Sequence, residues 1–214
     1  MSLITLTNPR SPVSEAYRTL RTNLSFYSLD NSLHTLVVTS PAPEEGAAET
    51  AANLAVTMAQ SGKRTILVEC DLRRPSLHTL FNLSAEPGLT NTLLGQQESV
   101  PLQQTAVENL VLLTSGAQPP NPADLLGSRR MDGLIEQLRQ QADIVIFHAP
   151  PVAAVTDATV LGSKVDGVLL VIQAGKTRRD HAQKAKEILA KANVRLIGAT
   201  LTNAPQDSSM GNYY

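Results

Sequence analysis

Apolar residues cluster along this chain in short unbroken runs, each followed by a stretch of helical period. The runs are Thr35–Thr39, Thr65–Cys70, Asn109–Leu113, Ile144–Phe147, Val168–Ile172 and Leu196–Thr202. Strand-sized runs without polar alternation predict strands buried on both faces, the pattern of a parallel sheet. The stretches between them predict helices. One opens at Ser11-Pro12, a cap followed by proline at the first helical position, and runs to about Tyr27. Another passes through Met58 and Ala59 and stops at Gly62. A turn and short helix at Pro87–Gly95, helices at Arg129–Gln141 and Arg179–Ala192, and a short helix at Thr156–Gly162 complete the set. Met131, Leu134, Ile135 and Leu138 recur with a period of about 3.6 residues and are assigned to the core. Strand alternating with helix predicts one α/β domain, a doubly wound, mostly parallel sheet with helices on both faces. Residues 12–205 are assigned to it, residues 1–11 to an irregular arm and residues 206–214 to a short polar tail.

The connection between the first strand and its helix reads Ser40-Pro41-Ala42-Pro43-Glu44-Glu45-Gly46-Ala47-Ala48-Glu49-Thr50, then Ala51-Ala52-Asn53-Leu54-Ala55. Strand, tight loop and helix in that order frame a phosphate-binding loop, whose backbone N–H groups and helix N-terminus face an anion. The motif proper, G-x-x-x-x-G-K-[ST], lacks its side chains here. With Gly46 as the last glycine, Ala47 holds the lysine position and Ala48 the hydroxyl position, and Glu49 follows. A charge about 6 Å from a phosphate is worth roughly 3 kcal/mol at an effective dielectric of about 20. Losing the lysine and adding Glu49 shift binding by about 6 kcal/mol on that scale, against about 8 kcal/mol for a micromolar site. Nucleotide affinity weaker than millimolar is the expectation.

The segment resembles the Walker A region of the bacterial tyrosine kinases of capsule and exopolysaccharide export, within the ParA/MinD-like P-loop ATPases. Their segment typically reads S-P-x-P-G-E-G-K-S-T-x-A-x-N-L-A. This chain keeps Ser40, Pro41, Pro43, Glu45, Gly46, Ala52, Asn53, Leu54 and Ala55, and departs at Glu44, Ala47, Ala48 and Glu49. Further on, the family's L-L-I-D-x-D-L-R-[RK]-P carries two aspartates that serve magnesium and the attacking oxygen. The first falls at Glu69 and the second is kept as Asp71. Glutamate moves the carboxylate by about one methylene, which misplaces a magnesium ligand held to near-octahedral geometry. The stretch Asp71-Leu72-Arg73-Arg74 also suits a charged strand-end loop with internal pairs. In the family's D-x-V-I-I-D-T-P-P the second aspartate falls at His148 and the threonine at Ala149. Histidine does not replace a hard oxygen ligand of magnesium. It suits a hydrogen-bonded side chain filling the vacated position, or a zinc ligand beside Cys70 and Glu69. The segments Pro87–Gly95, Gly116–Leu126 and Asp166–Thr177 match further family patterns, and Asn203 matches the asparagine that reaches the adenine ring. The resemblance thus implies a degenerate nucleotide site made of Glu44, Gly46, Ala47, Ala48, Glu49, Thr50, Glu69, Asp71, His148 and Asn203.

Two more features carry the resemblance. Glu15, Arg18 and Arg21 match the family's E-x-x-R-x-x-R self-association motif. The same spacing on one helix side also suits a solvated face with local ion pairs. The tail ends Gly211-Asn212-Tyr213-Tyr214, and the family's C-terminal tyrosine cluster is phosphorylated between subunits, which makes Tyr213 and Tyr214 candidate phosphoacceptors.

Composition excludes other classes. A net charge of −1 and 3% aromatic residues leave no nucleic-acid footprint. The single cysteine, Cys70, lies in a predicted strand, so no disulfide framework exists and a reducing cytosol is expected. No signal peptide or run of about 18 apolar residues is visible. The expected location is cytoplasmic, at the inner face of the membrane through a partner. Together these readings imply a catalytically inactive pseudoenzyme, needing no cofactor, that self-associates and acts as an assembly or regulatory module of exopolysaccharide biosynthesis and export. The implied partner is the cytoplasmic tail of a membrane polysaccharide chain-length regulator or an active kinase paralogue. The alternative is an ATP- and magnesium-dependent tyrosine autokinase with a rebuilt site, using Asp71 and Glu69 for the metal and Tyr213 or Tyr214 as acceptor. A degenerate partition ATPase fits the proline-rich loop and the Glu-Arg-Arg helix less well.

Overall fold

Each of the apolar runs forms a strand of one sheet. The computed structural model describes residues 3–205, so Tyr213 and Tyr214 lie outside the described residues. In chain order the strands are β1 (Thr35–Thr39), β2 (Thr65–Glu69), β3 (Gln103–Gln104), β4 (Leu110–Leu113), β5 (Ile144–His148), β6 (Gly167–Gln173) and β7 (Leu196–Thr202). Their spatial order is β3-β4-β2-β5-β1-β6-β7, and all pairings are parallel except β3 on β4. The helices are α1 (Ile4–Thr7), α2 (Pro12–Asp30), α3 (Ala47–Gln60), α4 (Leu77–Phe81), α5 (Leu89–Leu93), α6 (Pro122–Gly127), α7 (Arg129–Gln141), α8 (Asp157–Gly162) and α9 (Arg179–Lys191). The doubly wound, mostly parallel sheet is therefore as the sequence predicts.

The sheet separates two cores because successive side chains of a strand point to opposite faces. Val37, Val145 and Phe147 face Met131 and Leu138 of α7 and Leu161 of α8. Leu36, Val38 and Ile146 face Leu54 and Met58 of α3. α3 is buried on almost every side, from Ala47 to Ala59 except Ala48 and Glu49. A helix apolar all round must be covered on its outer side too, and α2 supplies that cover through Leu24, Leu20 and Tyr27. α2 begins as expected, with Ser11 Oγ accepting from the Ser14 amide and Pro12 in the first turn.

Three local features differ from expectation. Residues 4–7 form a helical turn where an irregular arm is expected, because Leu3 is buried and Thr5 is tied to α3. β7 is not buried on both faces. It has only β6 as a neighbour, and Leu201 is 63% exposed. α4 and β3 are too short to show a period in the sequence.

Asn53 explains how the turn at residues 4–7 is held. Its Oδ1 accepts from the Thr5 amide at 3.1 Å and the Thr5 hydroxyl at 2.8 Å, while its Nδ2 donates to the Glu49 carbonyl at 2.8 Å. Asn53→Ala leaves buried Thr5 donors without an acceptor, which costs about 2 kcal/mol. Urea unfolding of Asn53→Ala should show that loss, with Leu3 and Thr5 amides exchanging faster than in the wild type.

Candidate functional site

The C-terminal ends of β1, β2 and β5 stand level. Val38 pairs with His148, and His148 pairs with Glu69. In an open parallel sheet the crevice beyond such strand ends is the usual ligand site. Here it is a cavity of about 430 Å³. The loop 40–46 with the first turn of α3 makes one wall, the loop from Asp71 to Ser76 a second, and residues 149–155 a third.

Glu69 anchors the floor. It is fully buried and its carboxylate is saturated. Oε1 accepts from the Asp71 amide at 3.1 Å and from His148 Nδ1 at 2.7 Å. Oε2 accepts from the Ser76 and Leu77 amides, both at 2.9 Å. A carboxylate offers about four acceptor positions, so none is left for a metal. The tautomer of His148 follows from its partner: an ionised carboxylate only accepts, so Nδ1 carries the proton. Burial opposes a charge on this ring. Glu69 beside it, with Asp71 and Glu49 further off, outweighs burial and holds the His148 pKa above the ordinary imidazole value. Burial, then Glu69, Asp71 and Asp157, push the Cys70 thiol well above its usual range. Cys70 is thus a protonated core residue, and among the described residues no group of three or more His, Cys, Asp or Glu side chains is arranged to hold a metal. The zinc reading of His148, Cys70 and Glu69 has no geometry behind it.

The loop above the floor keeps a phosphate-loop path. Gly46 precedes α3 at φ +85°, a conformation that side chains disfavour. Glu44 adopts φ +59° despite its side chain, at a cost on the order of 1 kcal/mol. Lys176 Nζ donates to the Glu44 carbonyl at 2.7 Å and lies 3.6 Å from its carboxylate, which fastens that turn to the end of β6. Glu45 points inward, its Oε2 accepting from the Ala42 amide at 3.1 Å. The first turn of α3 has no side-chain cap, and Ala47, Ala48 and Glu49 line the cavity.

The second wall is held by a turn and an ion pair. Asp71 Oδ1 accepts from the Arg73 and Arg74 amides at 3.1 and 2.9 Å. The ion pair expected inside this loop leaves it instead. Arg73 forks onto Asp157, Nε to Oδ2 and Nη2 to Oδ1 both at 3.0 Å, where Asp157 is fully buried at the start of α8. Arg74 is exposed at the cavity and has no ion pair among the described residues.

Of the residues assigned to a nucleotide site, Glu44, Gly46, Ala47, Ala48, Glu49, Asp71 and His148 line the cavity. Glu69 lies beneath them, covered by His148. Thr50 is buried and absent from the cavity lining, its side chain beside Tyr17 of α2. Asn203 follows β7 at φ +52° and is exposed, outside the cavity lining. Sequence reading missed Lys176 and Asp157, each brought in by a different connection. Only the Thr156-Asp157 helix start hinted at a retained acid. Glu15, Arg18 and Arg21 are all engaged within the chain. Arg18 bonds Glu15 at 2.8 Å and the Pro9 carbonyl at 2.6 Å, and Arg21 donates to the Thr57 carbonyl at 3.2 Å.

The His148–Glu69 pair makes stability depend on pH with a fixed sign. A histidine whose pKa is raised on folding stabilises fully below its unfolded value, and that contribution is lost as pH rises through the folded value. Denaturant unfolding should therefore show the wild type losing stability relative to His148→Gln as pH climbs above 6.5, the ordinary imidazole value. A difference between the two that stays flat with pH contradicts the pairing.

No protein-family model matches the chain. Individual relatives do. Tyrosine-protein kinase YwqD of Bacillus subtilis is 46% identical over 201 residues, spanning 94% of this chain and 85% of the relative. Tyrosine-protein kinase etk of Escherichia coli K12 is 34% identical over 208 residues, spanning 97% of this chain but 29% of the relative. Among solved structures, the kinase domain of Escherichia coli tyrosine kinase ETK superposes with a TM-score of 0.92 at 33% identity, covering 98% of this chain and 82% of that one. The chimerical protein CapA2B2 superposes at 0.90 with 37% identity, covering 95% and 90%. The cell division ATPase MinD of Pyrococcus furiosus, at 20% identity and a TM-score of 0.68 over 82% of this chain and 74% of that one, shares the fold alone. On the identity and coverage of these relatives, the chain belongs to the bacterial tyrosine-protein kinase family, built on the P-loop ATPase fold.

Proposed function

We propose that this member of the family is catalytically inactive and serves as an assembly or regulatory module of capsule or exopolysaccharide biosynthesis and export. The supporting observation is the saturated Glu69. A magnesium ion requires free oxygen lone pairs in near-octahedral geometry. Glu69 has spent its lone pairs on three amides and an imidazole, and His148 puts a nitrogen where the family has its second acid. Ala47 and Ala48 supply neither cation nor hydroxyl, and Glu44 and Glu49 add negative charge at the loop. These residues do not fit a magnesium–nucleotide complex, and phosphoryl transfer depends almost wholly on positioning and charge neutralisation. The autokinase alternative requires Glu69 to give up its amides, and nothing in the geometry favours that.

The partner in this reading is the cytoplasmic tail of a membrane chain-length regulator, or an active paralogue. The domain makes up 29% of the Escherichia coli relative, so it is suited to work beside further protein. No helix among the described residues is long and apolar enough to cross a membrane, so the proposed place at the inner membrane face depends on that partner. Self-association through Glu15, Arg18 and Arg21 belongs to the same proposal and requires these side chains to exchange their internal bonds for contacts with a neighbouring subunit.

Two experiments test this. Calorimetric titration with ATP and magnesium should show no affinity tighter than about 1 mM, a free energy near 4 kcal/mol. The combined variant E44G/A47K/A48S/E49T/H148D should bind at least about tenfold more tightly, since it returns more than one favourable charge. Micromolar binding by the wild type, or phosphate appearing on Tyr213 or Tyr214, overturns the inactive reading. Sedimentation should show the wild type heavier than a monomer and Arg18→Ala/Arg21→Ala shifted toward monomer. Identical masses remove the assembly role of those arginines.

A further inference from the structure

The sheet ends in two unlike edges. On one side stands β3, two residues long and too short to seat another strand. On the other stands β7, seven residues long, with β6 as its neighbour. The Thr202 carbonyl accepts from the Ala174 amide at 2.9 Å, so Thr202 turns its backbone groups toward β6. Direction alternates along a strand, and Thr200 and Gly198 turn the same way, opposite Val171 and Leu169. Ala199 and Leu201 therefore turn their N–H and C=O groups outward, where no strand among the described residues meets them.

Soluble proteins blunt such an edge with charge, proline, a bulge or a cover. Residues 196–204 contain no charged residue and no proline. The one register irregularity lies at the start of the strand, beside Val168 and Leu169, and leaves 198–202 regular. Gly198 and Ala199 are exposed, and a Cβ at Gly198 would meet no atom within 4 Å among the described residues. Leu201, on the face it shares with Ala199, is 63% exposed.

We propose that β7 is a pairing edge for a second copy of this chain, joined antiparallel about a two-fold axis so that two seven-stranded sheets become one. A two-fold interface must be complementary to itself, and this run is. With the axis at Thr200, Ala199 and Leu201 exchange ladder bonds with the partner's Leu201 and the partner's Ala199. The large exposed side chain then lies against the small one, twice over. Thr200 meets the partner's Thr200, a cross-strand pair that sheets favour. A charged segment finds no counter-charge in this run, whereas an uncharged copy sets no like charges against each other. Glu15, Arg18 and Arg21 lie on α2, so the proposal does not rest on their role in assembly.

Cross-linking of the full chain reads this register directly. Facing residues at the axis have Cα atoms about 4.5 Å apart, within disulfide range. Thr200→Cys should therefore form a covalent dimer in oxidised glutathione. Lys191→Cys, exposed on α9, should not, and Cys70 is buried and does not compete. In sedimentation, Thr200→Lys sets like charges face to face and should weaken association at least about tenfold. Leu201→Lys, an exposed change that leaves the core intact, should weaken it in the same direction. Each is made in the wild type and in Arg18→Ala/Arg21→Ala, so that strand pairing and the arginine contacts are read separately. Exchange of the Ala199 and Leu201 amides should slow as protein concentration rises. No dimer from Thr200→Cys, equal cross-linking of Lys191→Cys, or association unchanged by both lysine variants overturns the proposal. Amide protection that is independent of concentration also overturns it, because the edge is then covered by the chain itself.

Discussion

One carboxylate, buried without exposure to solvent, sets the state of the whole site. Glu69 ends β2 and draws in the amides of Asp71, Ser76 and Leu77 and the ring of His148 from the neighbouring strand. It is met by the His148 ring, whose protonation it favours, and by fixed dipoles, so the strand ends close on themselves. Burying a charge costs several kcal/mol unless it is paired and hydrogen-bonded, and here every lone pair has a donor. The consequence is a floor that is complete without a ligand. A nucleotide site needs the reverse arrangement, with acids left open for a metal and a lysine left open for phosphate.

The retained letters of the phosphate loop have structural reasons that do not involve a nucleotide. Gly46 is needed for a left-handed turn into α3. Asn53 holds the turn at residues 4–7. Leu54 and Ala55 lie in the core under α2, where a change of volume opens a cavity or forces an overpacked helix. These positions stay fixed as long as the sheet keeps its helices. The positions that differ all line the cavity, beside the retained Ser40, Pro43 and Glu45, and the changes at Ala47, Ala48 and Glu49 leave the helix start intact. Glu44 is the exception, since its side chain strains a turn that suits glycine. Lys176 offsets part of that strain by gripping the turn from another connection.

Much of the fold was readable because the strands are uniform apolar runs and the first long helix opens on a cap, at Ser11-Pro12. The exposed face of β7 was not readable, because Leu196–Thr202 has the composition of a buried strand and only the sheet order reveals it as an edge. The site was legible as a set of missing side chains. What replaced them was not. His148 gave no sign of its bond to Glu69, since the two lie 79 positions apart and meet only through strand register. Lys176 was invisible for the same reason, and Asp157 showed only as the acid at a helix start. Thr50 and Asn203 were placed at the site by resemblance, and the helix turn and strand end carry their side chains elsewhere.

The account depends on His148 standing as the internal counter-ion of Glu69. Nitrogen NMR of the labelled imidazole at pH 6.5, the ordinary midpoint, reads this directly. The account predicts a ring that is mainly doubly protonated, with a strongly hydrogen-bonded Nδ1–H, and with signals that do not move when magnesium and ATP are added. A ring that is mainly neutral at that pH, or one whose Nδ1 signal shifts on adding magnesium and ATP, would contradict it.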